Sequence, residues 1–272
     1  MIDSYAVIGN PVSHSKSPFI HTQFAHQTGQ EMHYQTILAP LDGFEIAVKH
    51  FYQQNGKGLN ITVPFKLEAY KLPTRLTERA SLARAVNTLK FDNNEILGDN
   101  TDGIGLVRDI AVNLGMPITN KRILLMGAGG AARGTILPLL EQKPAILVIA
   151  NRTKHKANRL HQQFITYGNI ASGDYPDFSD QGFDIIINST SASLHDKLPP
   201  LSPNNFTEES LAYDMMYSNE PTPFLRFAKE QGVRYLADGI GMLVEQAAES
   251  FFLWRGVRPE TNSIIEILKL KT

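Results

Sequence analysis

Along this chain, short apolar runs alternate with stretches in which apolar residues recur every three or four positions. This is the pattern of strands alternating with helices. Residues 5–8 predict a first strand, broken by Gly9-Asn10-Pro11, and Ser17 as hydroxyl cap with Pro18 at the first helical position then opens a helix to about Thr28, with Gly29 as its stop. A second strand is expected at 32–38 and an amphipathic helix at 44–53. Gly56-Lys57-Gly58 is read as a turn into a strand at 59–63, followed after Pro64 by a helix beginning at Phe65-Lys66. Thr77 caps a short helix, and residues 85–97 form a hairpin about the polar turn 92–94. A helix is expected at 104–114. Strands at 123–126, 145–150, 183–188, 211–217 and 233–236 then alternate with helices at 135–140, 154–164 and 223–230, and two helices at 243–254 and 261–270 close the chain.

The segment Lys121-Arg-Ile-Leu-Leu-Met126-Gly127-Ala128-Gly129-Gly130-Ala131-Ala132 adds chemistry to this pattern. It is a G-x-G-x-x-G/A turn between a buried strand and a helix, the arrangement that places a pyrophosphate on a helix N-terminus. Gly127 allows the turn, Gly129 allows close backbone approach, and Ala132 allows helix and strand to pack closely. An NAD site places an acid about 20 residues past the glycines. Here Asn151, 24 positions after Gly127, is followed by Arg152, Thr153, Lys154 and Lys156 with no acid nearby. A guanidinium binds a ribose 2′-phosphate that a carboxylate would repel, so the cofactor read from these residues is NADP.

Composition narrows the class. Hydrophobic residues make up 42%, charged residues 19%, and the formal net charge is −1. This describes a globular chain with a small-molecule partner rather than nucleic acid. The absence of cysteine excludes disulfides and thiolate chemistry and fits a cytoplasmic location. The scattered histidines suggest no metal site. No signal peptide or membrane span is visible, so no membrane association is expected. The expected fold class is α/β. A smaller N-terminal α/β substrate domain spans residues 1–101, and a C-terminal Rossmann-type doubly wound parallel sheet spans 102–240.

Three positions carry candidate chemistry outside the glycine turn. The loop Ser13-His14-Ser15-Lys16-Ser17 is rich in hydroxyls, suited to a polyhydroxylated or anionic molecule as well as to helix capping. Lys66 falls in a first helical turn at the carboxyl end of a strand, where ligands collect in open sheets and where the helix dipole disfavours a cation. Asp102 reads as a helix cap, and it also lies at the seam between the two domains.

Taken together, Asn10-Pro-Val-Ser-His-Ser15-Lys-Ser17-Pro, Asn60-Ile-Thr62-Val-Pro-Phe-Lys66, Ala85-Val-Asn87-Thr, Gly98-Asp-Asn-Thr-Asp102-Gly, the glycine turn, Asn151-Arg152-Thr153 and Asp238-Gly-Ile-Gly-Met-Leu resemble shikimate dehydrogenases over essentially the whole chain. The resemblance implies an oxidoreductase that reduces 3-dehydroshikimate to shikimate with NADPH in chorismate and aromatic amino-acid biosynthesis. It implies Lys66 and Asp102 as the catalytic pair, with Ser15, Ser17, Thr62, Asn87, Tyr217 and Gln246 around the substrate. It assigns Gly127, Ala128, Gly129, Gly130 and Ala131 to the pyrophosphate and Asn151, Arg152, Thr153 and Lys156 to the 2′-phosphate. Met215 and Gly239 fall near the nicotinamide, and Glu78 is a further cofactor contact. The helices from about residue 241 to 272 are expected to pack back on the N-terminal domain, in a monomer or homodimer. Two departures are a missing glycine in the loop 189–193 and a lysine at 156 where arginine is frequent. The rival readings are a quinate/shikimate dehydrogenase with relaxed substrate or cofactor choice, a methylenetetrahydrofolate dehydrogenase, and a cofactor-sensing binding protein without turnover.

Overall fold

The computed structural model of the chain describes residues 2–93, 95–190, 192 and 197–270. Its strands form two six-stranded sheets. The first contains β1 (Asp3–Gly9), β2 (Met32–Leu38), β3 (Gly56–Ile61), β4 (Arg75–Leu76), β5 (Thr88–Asp92) and β6 (Glu95–Asp99), in the order β2-β1-β3-β5-β6-β4. β1 runs parallel to β2 and β3, whereas β5 runs antiparallel to β3 and β6. The register matters for the site: Asn60 at the end of β3 faces Thr88 on β5, and Thr88 faces Asp99 on β6. A row of polar residues therefore crosses the sheet at one level.

The second sheet contains β7 (Arg122–Met126), β8 (Ile146–Ala150), β9 (Ile170–Gly173), β10 (Ile185–Asn188), β11 (Leu211–Asp214) and β12 (Tyr235–Ala237). Its order is β12-β11-β10-β7-β8-β9 with every pairing parallel. The connections reverse direction at β7, which opens a crevice beyond Met126 and Asn188, the usual place for a ligand in such sheets. Side-chain alternation along the strands builds both faces. Ile123, Leu125, Leu147, Ile149, Ile185 and Ile187 pack on one side, and Leu124, Met126, Val148, Ala150 and Ile186 pack on the other.

Helices α1 (Ser17–Thr28), α2 (Phe44–Gln53), α3 (Lys66–Ala69) and α4 (Glu78–Ala83) accompany the first sheet. Helices α5 (Asp102–Arg108), α6 (Gly130–Glu141), α7 (Lys154–Phe164) and α8 (Pro223–Glu230) precede α9 (Ile240–Arg255) and α10 (Asn262–Leu270). Ile20 and Phe24 of α1 share one apolar cluster with Val244, Ala247 and Phe251 of α9 and with Ile264, Ile265 and Leu268 of α10. The last two helices thus bury their apolar stripes against the N-terminal part of the chain.

Several local expectations change. Gly56 and Gly58 belong to β3 rather than to a turn. A Cβ at Gly58 would meet the Trp254 indole at 2.4 Å, and one at Gly56 would meet Phe51 at 2.2 Å, so close packing rather than chain reversal explains both glycines. Ser17 is the first helical residue and not the cap; its N–H donates to Ser15 Oγ at 3.3 Å. The helix expected at 104–114 begins at Asp102 and passes into a π-turn at Asp109–Asn113. β9 and β4 carry little sequence signal, because the first lies at a sheet edge with half-buried residues and the second has two residues. The turn residue Asn94 lies outside the described residues.

Candidate active site

The chain leaves β3 at Ile61, turns with the Phe65 N–H donating to Thr62 O at 3.1 Å, and enters α3 at Lys66. Phe65 is buried and stacks on Phe44 at 4.7 Å, which pins the turn from below. The Lys66 carbonyl accepts from the Val86 N–H at 2.8 Å, tying α3 to the segment entering β5. Held in this way, Lys66 Nζ donates to Asp102 Oδ2 at 2.6 Å. Asp102 is the first residue of α5, and its carboxylate does not cap the helix. Its second oxygen accepts from Asn87 Nδ2 at 2.8 Å. The side chain of Lys66 is 19% exposed and that of Asp102 5%, so the ammonium is the member of the pair that a ligand reaches. Two donors satisfy and aim the buried carboxylate, and it holds one N–H of the ammonium while others stay available.

Asn87 links the remaining groups. Its amide nitrogen lies 2.9 Å from Thr101 Oγ1 and 3.3 Å from Gln246 Oε1. Its oxygen accepts from Thr88 Oγ1 at 2.8 Å and from the Thr101 N–H at 2.9 Å. Gln246 arrives from α9, so the closing helices complete the site. Thr62 is half-buried on the turn before Lys66. Ser15 is half-buried and Ser17 buried at the start of α1. The Lys16 ammonium lies 5.9 Å from the Tyr217 ring centroid, which brings the residues after β11 against this loop. Burial, reinforced by the Asp238 charge, raises the Tyr217 phenol above its usual pKa.

The glycine turn adjoins this cluster. A Cβ on Gly130 would lie 3.6 Å from Lys66 Cβ. Gly127 has φ +112°, and a Cβ there would meet Ser189 Oγ at 2.7 Å, so only glycine fits. The space about Gly129 is open to 4 Å and no side chain caps α6, which leaves its first N–H groups available to an anion. Ala128 is buried and Ala131 half-buried at the same turn. Asn151 Nδ2 donates to Thr153 O at 2.9 Å, which shapes the loop after β8. Arg152 and Lys156 are exposed there, and among the described residues neither has a salt-bridge partner. Lys154 instead pairs with Asp177 at 2.6 Å. Sequence reasoning missed that acid because β9, the strand that returns the chain to this loop, was not recognised. Burial raises the nearby Tyr175 phenol to about 12, with the Arg152 charge pulling the other way.

At the far side of the crevice, a Cβ on Gly239 would meet Met215 O at 2.2 Å, and the Met215 N–H donates to Asn188 O at 2.9 Å. Both residues thereby border the carboxyl ends of β10 and β11. Glu78 is exposed on the first turn of α4, which lies against α6. In the loop 189–193, Ser191 and Ser193 lie outside the described residues. Among the described residues no cluster of acids and histidines could hold a metal ion, and no helix is long and apolar enough to cross a membrane.

A second layer was not anticipated. Asn60 Oδ1 accepts from Tyr34 OH at 2.7 Å and lies 3.1 Å from His21 Nε2, while Asn60 Nδ2 reaches Ser250 Oγ at 3.0 Å and Thr88 Oγ1 at 3.2 Å. All five side chains are buried. The available signal was a polar residue inside an apolar strand (Leu59-Asn60-Ile61) and a serine on the apolar helix α9.

Three segments of the chain match known protein families. Residues 7–89 match the family described as shikimate dehydrogenase substrate binding domain, and 109–196 match shikimate / quinate 5-dehydrogenase. Residues 239–269 match shikimate 5′-dehydrogenase C-terminal domain. The chain is 64% identical over 269 residues to a shikimate dehydrogenase (NADP(+)) of Nitrosomonas eutropha, covering 98% of this chain and 97% of that one. Among solved structures, an Ael1 enzyme from Pseudomonas putida aligns with TM-score 0.93 at 52% identity, over 98% of each chain. A shikimate 5-dehydrogenase of Thermus thermophilus, solved in complex with NADP(H) and shikimate, aligns with TM-score 0.88 at 29% identity over 100% of each chain.

Proposed function

Because this chain belongs to the shikimate dehydrogenase family, we propose that it reduces 3-dehydroshikimate to shikimate, reversibly, with NADPH, as a step toward chorismate and the aromatic amino acids. The observation that carries the reading is the part-buried 2.6 Å pair of Lys66 and Asp102 beside the open glycine turn. When bound, NADPH supplies a hydride to the carbonyl carbon. Lys66 then holds the proton that the carbonyl oxygen needs, at Nζ, where its charge also favours the developing oxyanion. Asp102 orients that ammonium, and Asn87 fixes Asp102. Ser15 and Ser17 receive the substrate carboxylate through their hydroxyls, with Thr62, Tyr217 and Gln246 completing its surroundings. The N–H groups over residues 127–131 hold the pyrophosphate, and Asn151, Arg152, Thr153 and Lys156 hold the 2′-phosphate. Met215 and Gly239 border the nicotinamide, and Glu78 is a further contact on the cofactor side.

In this reading residues 1–101, together with 241–272, form the substrate-binding unit, and 102–240 form the NADP-binding unit. The protein works in the cytoplasm as a monomer or homodimer. The test is oxidation of shikimate followed by the absorbance of reduced nicotinamide, with quinate and NAD as comparison substrates. Comparable rates with quinate or NAD would support the relaxed-specificity alternative. Lys66→Ala is expected to lose about 10²–10⁴ in kcat with NADP affinity retained. Near-normal turnover by the folded variant would remove Lys66 from this role.

A further inference from the structure

His21 is fully buried, stacks on Tyr34 at 4.2 Å with an interplanar angle of 9°, and is enclosed by Phe24, Phe251 and Trp254. Its Nε2 faces Asn60 Oδ1 at 3.1 Å, and its Nδ1 has no hydrogen-bond partner among the described residues. Those two facts fix the tautomer. With the proton on Nε2, the unpartnered atom is an acceptor. With the proton on Nδ1, it would be a buried, unpaired N–H, the costlier defect. The second arrangement would also require the Asn60 amide to rotate so that its nitrogen faced His21. Its oxygen would then confront the Asn87 carbonyl, from which Nδ2 now stands 3.4 Å. Tyr34 and His21 thus both donate to Asn60 Oδ1.

The direction of the remaining bonds follows from that choice. Asn60 Nδ2 donates to Ser250 Oγ and Thr88 Oγ1, Ser250 Oγ donates to the Gln246 carbonyl at 3.0 Å, and the single Thr88 proton points at Asn87 Oδ1, 2.8 Å away, which the Thr101 N–H marks as an acceptor. With its oxygen occupied by Thr88 and by the Thr101 N–H, the Asn87 amide presents its nitrogen to Asp102 Oδ1. This leaves Asp102 Oδ2 to Lys66. Bonds in such a chain reinforce one another only if every member points the same way.

We propose that His21 is a positioning residue for the reduction, fixing through Asn60, Thr88 and Asn87 the orientation in which Asp102 holds Lys66. The inference rests on the function proposed above and adds to it a residue that touches neither substrate nor cofactor. The variants are His21→Phe, which keeps the ring stack and loses the donor, and His21→Gln, whose amide nitrogen restores a donor at the same reach. Both are assayed in the full chain with shikimate and NADP. His21→Phe is expected to lower kcat about tenfold, the worth of one net hydrogen bond. Its KM for NADP should remain unchanged, and His21→Gln should recover to within about threefold of the parent. A folded His21→Phe variant within about twofold of the parent, or a His21→Gln variant equally impaired, overturns the proposal. Long-range ¹H–¹⁵N correlation spectra of the parent protein read the His21 tautomer without any turnover. The Nε2–H form is expected, and the Nδ1–H form overturns the chain of bonds. A parent that oxidised no shikimate would sink the functional reading, while the spectrum would still decide the polarity of the chain.

Discussion

Burial of His21 ties the stability of the fold to pH. Enclosed by four aromatic rings, the imidazole is held neutral, with its pKa lowered from 6.5 to about 3 by desolvation and only partly offset by the bond to Asn60. The unfolded chain takes up a proton near pH 6.5 and the folded chain does not. The stability gained by keeping His21 neutral is therefore complete above pH 6.5 and is lost as pH falls from there toward 3. At pH 5 the unfolded imidazole is about 1.5 pH units below its titration point, which at about 1.4 kcal/mol per unit removes about 2 kcal/mol. Asp109 and Asp238, whose carboxyls burial raises above their ordinary range, work in the opposite sense at lower pH. They are common to the parent and to His21→Phe, so the difference between the two proteins isolates the histidine. Urea unfolding at pH 7 and pH 5 should show the parent losing about 2 kcal/mol more than His21→Phe across that interval. Parallel losses in the two proteins would refute the argument that His21 is neutral when folded.

Two further outcomes test other parts of the molecule. Glu245 is fully buried on α9 and accepts from Arg108 at 3.0 Å, Arg258 at 2.9 Å and Thr261 at 2.7 Å; burial pushes its pKa up, but the bonds from Thr261 and Arg108 and the Arg108 charge outweigh it and lower the pKa. Glu245→Gln leaves two guanidiniums without their shared carboxylate and should cost about 3 kcal/mol in urea unfolding at pH 7, with an unchanged midpoint refuting it. Arg152→Ser should lower kcat/KM with NADP about 10–100-fold and leave that with NAD within about threefold; equal losses with both would take Arg152 away from the 2′-phosphate.

The amino-acid sequence alone determined most of the framework, because its signals are local. Runs such as Ile123-Leu-Leu-Met126 bury on both faces, the turn at Gly127 needs a positive φ, and Pro18 and Gly29 punctuate α1 where backbone chemistry requires it. Lys66 and Asp102 could be named from their positions at element ends, since the carboxyl end of a strand and the start of a helix are where ligands meet such sheets. Tertiary structure decided everything that depends on which elements face one another. It converted Asp102 from a helix cap into the partner of Lys66, which is 36 positions away in the chain. It placed Asp177 on Lys154 through an edge strand too short to be recognised, and it moved Gly56 and Gly58 into β3, where Phe51 and Trp254 press on them. It also assembled His21, Tyr34, Asn60, Thr88 and Ser250, from three strands and two helices and separated by up to 229 positions, into one buried chain of hydrogen bonds. Periodicity records how each residue is oriented toward water. The direction of a buried amide is set only when its neighbours' donors and acceptors have been counted in space.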